Sequence, residues 1–134
     1  MEIKYHTNSH SKYLIKYHFV IAVKYRKKLL IGNIKDNIIQ IIIDVCAANE
    51  YIIDEIQSDI DHLHILIDAK PKYSPLQIIH KIKQISTFRI YQKYGAFLKT
   101  HFWKENTFWS NGYFVCSTGN ASSETIKNYI ANQG

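Results

Sequence analysis

The pattern of residues 62–69, HLHILIDA, restricts what this chain can fold into more than any other feature. Successive side chains of a β-strand point to opposite faces, so the segment is predicted to be a strand with one apolar face and one face bearing two imidazoles. The first face comprises Leu63, Ile65 and Ile67, and the second comprises His62, His64 and Leu66. Cβ atoms at this spacing lie roughly 7 Å apart, which allows both imidazoles to bind one metal ion. A pair of half-exposed structural histidines is the alternative.

Three further segments are typical of strands because they are rich in β-branched and aromatic residues. They are YLIKYHFVIAVKY (residues 13–25), YIIDEIQSD (residues 51–59) and YFVCST (residues 113–118). Asn111-Gly112 lies between aromatic stretches just before the last of these segments, and it is predicted to form a hairpin-type turn.

Two longer segments indicate helices. A stripe of apolar residues at helical spacing follows LLIGN and comprises Ile34, Ile38, Ile41, Ile42 and Val45. Ser74 and Pro75 provide an N-cap and a first-turn residue for a second, long helix. This helix is expected to end near Tyr94, before a loop that contains Gly95.

The predicted elements follow the order β-α-β-β-α-β, with a helix added at the C-terminal end. This order is that of an α+β fold with a ferredoxin-like or RRM-like antiparallel sheet. The chain has 134 residues, of which 46% are hydrophobic, and no linker or repeat interrupts the pattern. It is therefore expected to form a single domain over residues 1–134.

The charge balance favours an anionic partner. The formal net charge is +6 and the isoelectric point is about 9.2, and nucleic acid is the simplest polyanion for such a protein. Cys46 and Cys116 are far apart and match no zinc or redox spacing, so they are expected to be reduced thiols of a cytoplasmic protein. The first residues lack an apolar signal core and no apolar run is long enough for a membrane span, so no membrane association is expected.

The C-terminal segment SSETIKNYIANQ is predicted to be a short helix capped by Ser122 or Ser123. Tyr129 and Gln133 lie four residues apart on it and therefore share a face with two isoleucines. Tyr129 offers a phenolic nucleophile, and Gln133 offers a carbonyl oxygen that can bind a divalent ion. The alternative is a docking helix that packs the tyrosine ring and leaves the glutamine solvated.

Two groups of basic residues are candidate DNA contacts, one in the run KYRKK and one along the second helix. They comprise Lys24, Arg26, Lys27, Lys28, Lys81, Lys83 and Arg89. A generic solvated basic surface is the alternative. Some aromatic residues can stack on unpaired bases, although most are expected in the core: Tyr25, Phe102, Trp103, Phe108 and Trp109. His18 alternates with the apolar positions of the first strand and is expected to be structural.

These motifs together resemble the single-strand DNA transposases of the insertion-sequence 200/605 group, which carry a His-hydrophobic-His (HUH) motif and one catalytic tyrosine. DHLHIL is similar to the family's histidine strand, and ETIKNYIANQ is similar to its Tyr-x-x-x-Gln helix. KYHFVIAVKYRKKLL, SPLQIIHKIKQIS and FWSNGYFVCSTGN resemble further family segments in family order, so the resemblance covers residues 13–133. Ile60 and Gln84 replace the proline and glycine of many relatives, and neither position belongs to the chemistry.

The resemblance implies a transposase that cleaves and rejoins single-stranded DNA at hairpin-bearing element ends. Tyr129 would form a 5′-phosphotyrosine intermediate, which retains the phosphodiester energy and makes a nucleotide cofactor unnecessary. The implied metal ligands are His62, His64 and Gln133. Two imidazoles and an amide oxygen suit Mg²⁺ or Mn²⁺, with zinc inhibitory or structural at best. The family arrangement also implies a homodimer whose active sites are shared between subunits.

Two other functions remain open. One is a related nickase that processes repeated hairpins, or a replication initiator or relaxase with the same chemistry. The other is a non-catalytic RNA-binding module on the same fold. Such modules usually carry an aromatic RNP strand, and KYHFVIAVKY lacks that pattern.

Overall fold

The secondary structure follows the predicted order β-α-β-β-α-β, preceded by a short hairpin that the sequence did not predict. The structure is a computed structural model that describes residues 5–117 and 129–132. Its elements are β1 (His6–Thr7), β2 (Lys12–Tyr13), β3 (Ile15–Ala22), α1 (Gly32–Ala48), β4 (Ile52–Ser58), β5 (His62–Ala69), α2 (Pro75–Lys99) and β6 (Phe114–Cys116). Residues 129–131 are also helical. None of the helices in these two ranges is both long and apolar enough to cross a membrane.

One four-stranded antiparallel sheet forms the centre of the fold. Its strands lie in the order β4-β5-β3-β6, while β1 and β2 pair separately as a small hairpin. The chain order β3-α1-β4-β5-α2-β6, combined with this strand order, is the ferredoxin-like arrangement. The α+β fold predicted from the sequence is confirmed.

The core lies between one face of this sheet and the two helices. Along β5, buried and partly buried residues alternate strictly, and the buried set comprises Leu63, Ile65, Ile67 and Ala69. The helices cover this face with fully buried side chains that include Ile38, Ile42, Ile78, Ile79 and Ile82. The predicted apolar face of β5 is therefore the core face, and its histidines lie on the other side of the sheet.

A β-bulge explains the spacing of isoleucines in β4. Ile53 pairs with Ile67 and Ile56 pairs with Ile65, with a register shift between Ile53 and Glu55. Two residues three positions apart would normally face opposite sides of a strand. The extra residue restores the alternation, so both isoleucines pack against the core.

Helix α2 is longer than the sequence predicted. It continues through Gly95 to Lys99, with only Tyr94 departing from helical geometry at φ −126° and ψ 23°. Leu98 is fully buried in the last turn. Because helical stability in proteins comes mainly from the packing of an apolar face, this burial outweighs the low helix propensity of one glycine.

The expected hairpin turn at Asn111-Gly112 is also wrong. Trp109 forms an isolated bridge with Val23, and Phe114 pairs with Val20, so residues on both sides of the dipeptide pair with β3. Asn111-Gly112 is therefore part of an irregular bulge along the sheet edge. The Lys83 ammonium donates hydrogen bonds to the carbonyl oxygens of Ser110 (2.7 Å) and Gly112 (3.1 Å), which supports this bulge from α2.

The predicted start of α2 is confirmed and can be tested. The Ser74 side chain accepts a hydrogen bond from the Gln77 backbone N–H, and the Gln77 side chain accepts one from the Ser74 N–H. Ser74→Ala should lower the free energy of unfolding by about 1 kcal/mol, because the Gln77 N–H loses its acceptor. Ser74→Asp is the matched control, since its carboxylate can accept the same hydrogen bond. Equal losses in urea denaturation of the two variants would contradict a capping role.

Candidate functional site

The face of the sheet opposite the helices carries the two histidines of β5. His64 lies between Val20 of β3 and Gln57 of β4, and Ala22 lies opposite His62. Residues directly opposite each other on antiparallel strands project to the same side of the sheet. The pairing therefore surrounds the histidine pair with side chains from both neighbouring strands.

The two imidazoles are close to each other and partly buried. The ring centroids of His62 and His64 are 4.9 Å apart, and His18 follows at 5.6 Å from His64. Burial, with smaller contributions from His62 and His18, lowers the pKa of His64 to about 4. His64 is therefore neutral at physiological pH and has a lone pair available for a metal ion.

Asp61 orients the other imidazole. Its Oδ1 lies 2.8 Å from Nδ1 of His62, and its Oδ2 lies 3.4 Å from Nε of Arg26. A carboxylate can only accept hydrogen bonds, so the Nδ1 atom of His62 carries the proton and its Nε2 atom is left as the possible ligand. Sequence reasoning gave Asp61 no role, and its only signal was its position directly before His62.

His18 also belongs to this face, although it was expected to be only structural. Together with Glu55, Gln57, His64 and Leu66 it lines a small cavity of about 80 Å³. Burial lowers the pKa of His18, and the carboxylate of Glu55 partly opposes this change. The sequence signal for its position was its alternation with Phe19, whose side chain is fully buried on the core side.

Two of the three predicted metal ligands, His62 and His64, lie in the described part of the chain. Within residues 5–117 and 129–132 no group of three or more His, Cys, Asp or Glu side chains is arranged to hold a metal ion. His62 and His64 fit a divalent ion as a pair of imidazole donors. Gln133, the predicted third ligand, lies outside the described residues, as does the predicted start of its helix.

Tyr129 lies on the same face as the histidine pair. Its ring centroid is 5.7 Å from that of Phe114, which pairs with Val20, and Val20 in turn pairs with His64. The Tyr129 hydroxyl is buried and has no hydrogen-bond partner among the described residues. Burial raises the pKa of this phenol to about 12. The predicted nucleophile and the predicted metal-binding strand are thus brought to one side of the sheet.

The basic run after β3 forms a strained turn. Tyr25 and Arg26 adopt the left-handed region, at φ 58° and φ 51°, which costs on the order of 1–3 kcal/mol for each non-glycine residue. Hydrogen bonds hold the turn: the Val23 N–H donates to the Asp61 carbonyl, and the Lys24 N–H donates to the Phe108 carbonyl. Such strain persists only where surrounding contacts fix the backbone, and it is concentrated at functional sites.

The predicted DNA contacts differ in their surroundings. Lys28, Lys81 and Arg89 are exposed, while Arg26 contacts Asp61, and the Lys24 ammonium lies 3.5 Å from Glu105. Lys83 is partly buried, its two carbonyl acceptors occupy its ammonium, and burial lowers its pKa. Lys81 and Lys83 do not share a face, because residues two positions apart in a helix are separated by about 200° around its axis. Lys83 thus has a structural role, and DNA contact by any of these residues stays a prediction.

Solved structures share this fold. A crystal structure of a putative transposase from Deinococcus radiodurans R1 aligns with a TM-score of 0.87 at 24% identity, over 96% of this chain and 97% of that one. A REP-associated tyrosine transposase bound to a REP hairpin aligns with a TM-score of 0.55 at 14% identity, over 94% of this chain and 68% of that one. At these identities the similarity establishes the fold alone.

Sequence relatives extend the similarity to family membership. The transposase for insertion sequence element IS200 of Salmonella typhimurium is 30% identical over 125 residues, which are 93% of this chain and 80% of that protein. The ISDra2 transposase TnpA of Deinococcus radiodurans is 28% identical over 121 residues, which are 90% of this chain and 85% of that protein. Residues 11–133 match the family model described as "Transposase IS200 like". The chain therefore belongs to the IS200-like transposase family.

Proposed function

We propose that this transposase cleaves and rejoins single-stranded DNA at hairpin-bearing ends, through a 5′-phosphotyrosine formed by Tyr129. The observation that carries the proposal is the common sheet face of Tyr129 and the His62–His64 pair, linked by Phe114 and Val20. A nucleophile and two metal-binding imidazoles on one surface are the groups that phosphodiester cleavage requires.

The proposed reaction is a transesterification. The Tyr129 hydroxyl loses its proton to solvent and its oxygen forms a bond to the phosphorus. The bond from phosphorus to the 3′ oxygen breaks, and the leaving oxygen takes up a proton from solvent as a 3′-hydroxyl. Attack by a 3′-hydroxyl on the phosphotyrosine reverses these steps and releases Tyr129. The number of phosphodiester bonds is conserved, so the reaction needs no nucleotide cofactor.

A divalent ion, Mg²⁺ or Mn²⁺, would be held by His62 and His64, with Gln133 as the proposed third ligand. The donor set fits because His64 is neutral at physiological pH and the Asp61 carboxylate engages Nδ1 of His62. When bound, the ion would neutralise charge on the non-bridging phosphate oxygens. Asp61 keeps the His62 ring oriented whether or not the ion is present.

The proposed partners are hairpin DNA and a second copy of the chain. The REP-associated transposase of the same fold was solved with a hairpin bound, which supports a hairpin substrate here. The basic residues of the Lys24–Arg26 turn and the exposed cations of α2 are the proposed phosphate contacts. The shared active site of a homodimer is proposed from the family resemblance.

The first prediction concerns the nucleophile. Tyr129→Phe should abolish the covalent protein–DNA adduct, because the variant lacks the attacking oxygen while it keeps the ring that packs on Phe114. The measurement is a denaturing gel of protein incubated with Mn²⁺ and single-stranded DNA that carries a hairpin and a label. Tyr91→Phe is the matched control, since that hydroxyl serves the Thr107 backbone, and it should still form the adduct. An adduct that persists in Tyr129→Phe would rule out this nucleophile.

The second prediction concerns pH. Since the pKa of Tyr129 is raised to about 12, the phenol is protonated at neutral pH and its reactive fraction grows with pH. The single-turnover rate of adduct formation should therefore increase about tenfold per pH unit between roughly pH 6 and 8. Hairpin binding measured over the same range serves as the control. A flat rate profile with unchanged binding would show that loss of the phenolic proton does not limit cleavage.

The third prediction concerns the dimer. If the sites are shared, a heterodimer of a His64→Ala chain and a Tyr129→Phe chain contains one intact site and one doubly defective site. Such a heterodimer, purified with two different tags, should recover about half of the wild-type cleavage per dimer. If each helix serves its own strand, no site in the mixture is intact. No recovered cleavage from a stable heterodimer would therefore refute sharing.

The nearest alternative is a related nickase that processes repeated hairpins. Both functions use the same residues, so the sites do not distinguish them. Hairpins that flank the gene as element ends would favour the transposase, and hairpins dispersed through the genome would favour the nickase.

A further inference from the structure

A second cavity lies beside the strained turn, away from the small cavity lined by His18 and His64. It has a volume of about 460 Å³ and is formed by Lys24, Tyr25, Lys27 and residues 101–105 and 107. Two of its aromatic residues are largely exposed, Tyr25 at 63% and Trp103 at 76% of their surface. Phe102 is buried, with 4% of its surface exposed. Solvent-exposed aromatic rings that line a cavity indicate a binding surface for a flat, partly apolar ligand.

The charge of this cavity selects an anion. Three lysines line it, Lys24, Lys27 and Lys104, against one carboxylate, Glu105. The ammonium of Lys27 lies 5.9 Å from the ring centroid of Phe102, and that of Lys24 lies 5.7 Å from the ring centroid of Tyr25. Cations next to aromatic rings, with a net positive lining, match a ligand that joins a flat ring system to a negative group.

We propose that this cavity binds one unpaired nucleotide of single-stranded DNA, with the base on Tyr25 and Trp103 and the adjoining phosphate at Lys27. This proposal rests on the proposed function. It assigns part of the substrate to a site outside the sheet face that carries His62, His64 and Tyr129. Base-paired DNA does not fit the same role, because its bases are already stacked on one another and offer no free face.

The turn connects this cavity to the histidine pair. Tyr25 is followed by Arg26, whose guanidinium contacts the Asp61 carboxylate that orients His62. The Val23 N–H also donates to the Asp61 backbone carbonyl at 2.8 Å. A nucleotide held at Tyr25 is therefore bound by the same turn that contacts Asp61, the residue that orients His62. The left-handed backbone of Tyr25 ends the extended conformation of β3, and the Tyr25 side chain lines the cavity.

Trp103 supplies a direct probe of stacking. The other tryptophan, Trp109, is 4% exposed, so binding in the cavity should change the emission of Trp103. Titration of the full chain with a short oligothymidylate, without divalent metal, should quench this emission to saturation. The same titration with duplex DNA should not. The Trp103→Phe variant should lose the quenching and keep its affinity within about twofold, as measured by anisotropy of a labelled oligonucleotide.

Removal of the rings should weaken binding of the oligothymidylate. Trp103→Ala and Tyr25→Asn should each reduce the affinity about tenfold, the range for loss of one base–aromatic stack. Asparagine is used at position 25 because it tolerates the left-handed backbone. Tyr5→Ala is the matched control, since that ring is 53% exposed and lies next to Lys12 at the N-terminal hairpin, and it should bind as the wild type does. Circular dichroism verifies that each variant is folded.

The phosphate contact has its own measurement. Lys27→Ala should reduce the slope of log affinity against log salt by about 0.7, the value for one phosphate of a single strand. Lys12→Ala is the control, because this exposed lysine lies at the N-terminal hairpin next to Tyr5. Equal slopes for Lys27→Ala and the wild type would remove Lys27 from the site.

The outcomes separate this proposal from the proposed function. If the wild type forms the Tyr129 adduct but Trp103→Ala and Tyr25→Asn bind oligothymidylate normally, or Tyr5→Ala loses as much affinity as they do, the cavity proposal is wrong and the catalytic one stands. If the oligonucleotide quenches Trp103 and the ring variants weaken binding, but no adduct forms on any hairpin substrate, the cavity proposal stands and the catalytic one fails.

Discussion

The antiparallel pairing of β3 with β5 is the constraint on which the rest of the structure depends. It extends from Ile15 opposite Ala69 to Ala22 opposite His62 and joins the two central strands of the sheet. A slip of one residue would turn the isoleucines of β5 away from the helices and the histidines into the core. Full burial of Ile65 and Ile67 opposes that slip, since each contributes about 1.5–3 kcal/mol to the hydrophobic free energy. The same register that forms the core therefore places the imidazoles on the opposite face of the sheet.

Asp61 joins the two halves of the candidate DNA surface. Its side chain is 12% exposed, and an unpaired charge at such burial would be strongly unfavourable. Arg26 and the Nδ1–H group of His62 both supply partners, so the charge is compensated from the turn on one side and from β5 on the other. This compensation couples the backbone of a strained turn to the orientation of a candidate metal ligand. The aromatic cavity beside Tyr25 and the histidine pair are consequently connected through Asp61.

The proposed nucleophile, Tyr129, has a buried hydroxyl without a hydrogen-bond partner among the described residues. Burial of the Tyr129 hydroxyl next to Phe114 disfavours the phenolate, as its raised pKa indicates. A nearby positive charge acts in the opposite direction and lowers the pKa of a phenol. In the proposed reaction the divalent ion held by His62 and His64 would supply that positive charge. The reaction requires that both groups share a surface. Strand pairing places Phe114 beside the histidine strand pair, and the Tyr129 ring contacts Phe114.

The sequence by itself determined the features that depend on local periodicity. The alternation in β5 predicted its core and histidine faces, and Ser74 marked the start of α2, because both follow from the geometry of a single element. The resemblance to family motifs indicated Tyr129 as the nucleophile, which stays a prediction. Only the tertiary structure decided how Asn111-Gly112 is used, why α2 continues past Gly95, and which groups Asp61 contacts. Each of these depends on partners distant in the chain, such as the edge of β3 or a buried leucine in the last helical turn, and local propensity contains no information about such partners.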